Sequence, residues 1–129
     1  GRIMTLVNQN HIAHMKRTSS ILFSVYAGPN ELDTFPVGTI FSYLAAKSSN
    51  DVALIYLNSG VTSSQYITSE SDGTVTVNLS EGMLDATGVG NFYHQLAIKK
   101  PTDAIPKVVT VGILQVFGTP LHTDVTVIS

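Results

Sequence analysis

An all-β chain is predicted, a two-sheet antiparallel β-sandwich of about seven or eight strands, and three observations carry that prediction. Val75, Val77 and Leu79 alternate with Thr74, Thr76 and Asn78, the period of two that gives a strand one buried and one wet face. Phe92, His94, Leu96 and Ile98 fall on one side of a second such run, and Tyr93, Gln95 and Ala97 on the other. Between the two, residues 80–90 read as a capped single turn and a flexible corner. That is too short for a packed helix and too long for a tight hairpin, so it suits a crossing from one sheet to the other.

The remaining elements follow in order. Residues 1–17 read as an extended arm with at most one short strand, available to pack on a neighbour. Residues 18–120 form the sandwich, and 121–129 a C-terminal strand or linker. Ile21, Phe23 and Val25 alternate with Leu22, Ser24 and Tyr26 up to the turn Gly28-Pro29-Asn30. Glu31 to Pro36 reads as loop. Thr39 to Ala46 is apolar on both faces, which predicts a central strand, and its β-branched and aromatic residues argue against a helix. Ser48 to Asp51 turns the chain into a strand over 52–57, and a short strand is expected around Tyr66-Ile67. Pro101 and Pro106 hold a loop out of the sheet, because proline cannot donate to a central ladder. Lys107 to Phe117 is the last long strand, with Gly112 a bulge or a point of close approach.

Composition excludes several functions. The 129 residues contain no Cys and no Trp, and 12% are charged against about a quarter in an ordinary domain. No disulfide, thiolate metal site or cysteine nucleophile can form. A net charge of −2 with scattered Lys and Arg gives no footprint for nucleic acid. No apolar run reaches the roughly 20 residues of a membrane helix and no signal pattern opens the chain, so a soluble protein without a membrane partner is expected. A surface this poor in charge points to burial in an assembly.

No constellation amounts to a catalytic motif. His11 and His14, with His94 and His122 elsewhere, lack the spacing of a metal site, and His94 beside Phe92 and Leu96 is expected as a satisfied interior or interfacial histidine. Glu70 and Asp72 flank a turn that turn chemistry alone explains. No enzyme and no cofactor is predicted. Tyr26, Tyr56 and Tyr66 are the candidates for a sugar-stacking surface beside Asn30, Gln65 and Asn91, although core or interface duty is the commoner use of such rings. Tyr93, after Leu84 to Gly88, has the placement of a tyrosine corner.

The runs Leu57-Asn58-Ser59-Gly60, Asp72 to Leu79, Gly90 to Ile98 and Val108 to Val116, preceded by Arg17 to Val25, resemble the immunoglobulin-like domains of tailed-bacteriophage virion proteins. The resemblance is to the baseplate upper protein family and related tail proteins, and it spans about two-thirds of the chain. It implies a structural virion protein of tail or baseplate, working by self-association and by docking to other virion proteins. Immunoglobulin-like and jelly-roll strand orders both stay open at this point. Ile12, His14 and Met15 in the leading arm, and Leu121, Val125 and Val127 in the trailing one, are the expected contacts. A head-decoration protein and a carbohydrate-binding module for host glycan are the alternatives.

Overall fold

The computed structural model describes residues 7–60, 66–69 and 73–118. In chain order the elements are β1 (Val7–Asn8), β2 (His11–His14), β3 (Ser19–Ser24), β4 (Tyr26–Gly28), β5 (Glu31–Leu32), β6 (Ile40–Ala46) and β7 (Ala53–Asn58). They continue with β8 (Ile67–Ser69), β9 (Thr74–Leu79), α1 (Glu81–Thr87), β10 (Gly90–Lys99) and β11 (Lys107–Phe117). One sheet has the order β1-β11-β10-β6-β7, with β2 also paired to β11; the other has the order β3-β9-β8. The hairpin β4-β5 stands apart: its turn lies at the predicted Gly28-Pro29-Asn30, β4 begins at Tyr26, where the sequence predicts the end of the preceding strand, and β5 replaces the start of the predicted loop.

Alternation puts the core between the sheets. Ile21 and Phe23 of β3 and Val75, Val77 and Leu79 of β9 are buried from one side. From the other come Phe41, Tyr43 and Ala45 of β6, Phe92, His94, Leu96 and Ile98 of β10, and Leu114 and Val116 of β11. As its two apolar faces predict, β6 is interior, flanked by β10 and β7. The register of β10 on β11 shifts between Leu96 and Ala97, so the extra residue Val109 is buried next to Thr110.

The sheet crossing is more than the single turn expected. The Ser80 hydroxyl accepts the Met83 N–H at the start of α1, and Gly88, at φ 78°, closes the end with its N–H on the Leu84 carbonyl. Two turns suffice to send Leu84 wholly into the core. A short helix packs here because capping satisfies its ends while one side chain anchors it. Leu84→Ala is therefore expected to destabilise the fold by about 3 kcal/mol, read as a lower urea midpoint with unchanged m.

The leading segment is not a free arm over residues 7–14. β1 pairs parallel with β11 (Val7 to Thr110, Asn8 to Val111), and β2 does the same from His11 opposite Leu114 to His14 opposite Phe117. Ala13 is fully buried. Parallel pairing to a strand a hundred residues away leaves no mark in local periodicity. Tyr93 is likewise no tyrosine corner: its hydroxyl donates to Gln95 Oε1 at 2.6 Å on the outer side of the sheet.

Candidate functional site

Two places stand out, a polar pin in the core and an uncharged outer face. The pin begins at Gly112, which lies opposite His94 in the β10–β11 register. A Cβ there would sit 2.2 Å from the Gln9 carbonyl oxygen. The missing side chain lets the link between β1 and β2 drop into the sheet, and the Gln9 carbonyl accepts His94 Nε2–H at 2.8 Å. That fixes the tautomer, so His94 Nδ1 is the acceptor and takes the Tyr43 hydroxyl proton at 3.0 Å.

Gln9 ties the two sheets together. Its side-chain amide donates to the Ser24 carbonyl (3.0 Å) and Thr110 Oγ1 (3.1 Å), and its Oε1 accepts the Ser24 N–H (3.2 Å). Its own N–H reaches the Val111 carbonyl at 2.9 Å. Around this polar knot the rings close-pack: Phe23 lies 5.4 Å from His94 and 5.9 Å from Tyr43, and His11 lies 4.8 Å from Phe23 and 5.5 Å from His94. In antibody domains a tryptophan packs against an inter-sheet disulfide. This chain has no cysteine or tryptophan, and Phe23, Tyr43 and His94 pack together between its sheets.

Burial decides the chemistry of the pin. It lowers the His94 pKa to about 4, with the Gln9 carbonyl opposing and the neighbouring His11 adding to the effect, and it pushes the Tyr43 phenol well up. Both His94 nitrogens are committed and the residue is fully buried, so it has no route to a substrate proton. His11 Nε2 is taken by the Leu22 carbonyl at 3.0 Å. Among the described residues no group of three or more His, Asp or Glu side chains is placed to hold a metal ion.

The uncharged face is the outer side of the larger sheet. Its strands contain no Asp, Glu or Arg, and their only Lys residues, Lys99 and Lys107, stand at the ends of β10 and β11, so His11–His14, Leu54–Asn58, Ser42–Ala46, Asn91–Ala97 and Val108–Phe117 are free of charge. Ile12 (60% exposed), Tyr56 (56%) and Ile113 (48%) mark its breadth from β2 to β7. The carboxylates lie elsewhere: Asp33, only 6% exposed, accepts Lys100 Nζ at 2.8 Å and joins the loop after β5 to the loop after β10. Asp103 accepts the Lys100 N–H, which with Lys107 at 3.6 Å holds its carboxyl below the usual range.

The predicted contact residues fall in different places. Ile12 projects from β2 onto the uncharged face, His14 stacks on Phe117 at 5.6 Å, and Met15 packs against the core. Leu121, Val125, Val127 and His122 lie outside the described residues, as do Gln65, Glu70 and Asp72. The three tyrosines are not brought together: Tyr26 is in the β4-β5 hairpin, Tyr56 on β7, and Tyr66 beside an open groove of about 380 Å³ along β3 and β9. Sequence reasoning missed Gln9 and Asp33 altogether. A glutamine in an aperiodic stretch and an aspartate before Thr34 carry no signal of their later partners.

No family model and no curated protein matches the chain. Among solved structures it is similar to the IG1–IG1 heterodimer of ZIG-8 and RIG-5, at 15% identity over 88% of this chain and 83% of that one, with a TM-score of 0.43. It is also similar to murine CRIg (12% identity, 86% and 92% covered, TM-score 0.45). A marsupial T cell receptor gives 8% identity, 85% and 48% covered, and a TM-score of 0.43. The strand order itself, β1-β11-β10-β6-β7 facing β3-β9-β8, makes this an all-β sandwich with immunoglobulin-like topology.

Proposed function

We propose that this chain is a non-catalytic structural module of a bacteriophage virion, in tail or baseplate, that assembles by burying the outer face of its larger sheet against a second copy. The observation that carries the assembly reading is that the outer face of the larger sheet holds no carboxylate and has its charge confined to one end, at Lys99 and Lys107. The virion setting rests on the resemblance of Asp72 to Leu79 and Gly90 to Ile98 to the baseplate upper protein family. A chain of net charge −2 repels its own copies least through a surface that holds none of its carboxylates. A two-fold contact between identical faces sets Ile113, Tyr56 and Ile12 against apolar or neutral polar neighbours.

Light scattering behind a sizing column tests this across a dilution series. A discrete oligomer is expected for the native chain, and Ile113→Lys should shift it to monomer, weakening association by at least about tenfold because a cation is buried without a partner. A native chain that stays monomeric at every concentration overturns self-association. Mass spectrometry of purified particles tests the setting: the chain should be present at fixed stoichiometry.

A further inference from the structure

We propose that the histidine end of the sandwich is an acid-operated clasp: protonation of His94 frees residues 7–14 from the edge of β11 while the remaining strands of both sheets stay folded. This stands independently of the assembly reading. His94 is at present a neutral ring with one donor and one acceptor nitrogen, both used. A second proton places Nδ1–H against the Tyr43 hydroxyl, and a phenol that turns to accept it leaves its own hydrogen without an acceptor in the core. The ring centre of His11 lies 5.5 Å from that of His94, so the new charge faces another imidazole and not a carboxylate.

Nothing compensates. The groups facing the pair are Tyr43 from β6, the Phe23 ring from β3, the Gln9 carbonyl and Gly112 of β11. Among the described residues no carboxylate and no Lys or Arg is hydrogen-bonded or ion-paired to either imidazole. Burial already holds the His94 imidazole in its neutral form to about pH 4, in line with this geometry.

The strain has an outlet at the sheet edge, at the loss of the Gln9 bonds to Ser24 and Thr110 and of the His11 bond to Leu22. His94 and Tyr43 sit on inner strands, each paired on both sides, whereas β1 and β2 pair only with β11. Lifting residues 7–14 removes the Gln9 carbonyl and lets water reach His94, without breaking the β10–β6 ladder. The segment also carries two buried nitrogens with no partner, Nδ1 of His11 and Nδ1 of His14, which release would hydrate. Local opening of an edge segment costs less than global unfolding.

Hydrogen exchange of the full chain, followed residue by residue at pH 7 and pH 5 and expressed as protection factors, tests the clasp. Protection of the amides in 7–14 should fall at least about tenfold, since one unit of pKa change corresponds to tenfold, while β6 and β10 keep theirs. His94→Gln, which can still donate to Gln9 and accept from Tyr43, should abolish the fall, and His11→Gln should reduce it. Unchanged protection in 7–14, or a loss shared equally by β6 and β10, overturns the proposal. If His94→Gln does not fold, His11→Gln decides: a full fall persisting in that variant also overturns it.

Discussion

Gly112→Ala should cost the sandwich about 3 kcal/mol, at the upper end of what overpacking does, although it adds a single methyl group in a strand. The new Cβ would lie 2.2 Å from the Gln9 carbonyl oxygen and 2.7 Å from its carbon. Those are backbone atoms, pinned by the Gln9 N–H on the Val111 carbonyl and by Asn10 Oδ1 on the Ile113 N–H, so no rotamer change relieves the clash. Relief requires the link between β1 and β2 to rise. That takes away the carbonyl that His94 donates to and loosens the Gln9 amide from Ser24 and Thr110. Urea unfolding checks the loss. Gly82→Ala in α1 is the control, because a Cβ there meets nothing within 4 Å and should be neutral or gain up to about 1 kcal/mol of helix propensity. A Gly112→Ala variant as stable as the native chain would mean that residues 7–14 are not seated as described.

Gly112 also shows how far the residues alone reach. Its place mid-strand marks a close approach, but what approaches is Gln9, and nothing local to Asn8-Gln9-Asn10 announces it. Periodicity found β3, β9 and β10 because each buries alternate side chains, and β6 and β11 were legible as apolar, β-branched runs, all local properties. It found the inward face of β10 to the residue, His94 included. It failed for β1 and β2, whose order comes from parallel pairing and from one glutamine side chain, both long-range. The α1 helix escaped for a different reason: seven residues are too few to show a helical period, and only the caps at Ser80 and Gly88 with Leu84 between them make it pack. The uncharged face was legible as low overall charge. Its concentration on one side became visible only once the strand order was known.

Acid should erode the stability of the whole domain above the range where carboxylates titrate. His94 has its pKa lowered to about 4 in the folded chain, from 6.5 when unfolded, so unfolding takes up a proton between those values. Above pH 6.5 both states hold the ring neutral and stability is flat. Below it the unfolded chain gains the proton first, and stability falls by about 1.4 kcal/mol per pH unit, to a total of about 3 kcal/mol near pH 4. Asp103, whose folded pKa is lowered mainly by the Lys100 N–H, contributes its loss only as pH falls below the carboxylate range, so the window between is left to His94. Urea midpoints from pH 7.5 to 4 measure the slope, and His94→Gln should flatten it. The shape of the curve carries more than its depth. If residues 7–14 lift away before the sheets part, the folded ensemble itself accepts the proton, and the decline must level off above pH 4. A line that stays straight to pH 4 means the segment holds until everything unfolds.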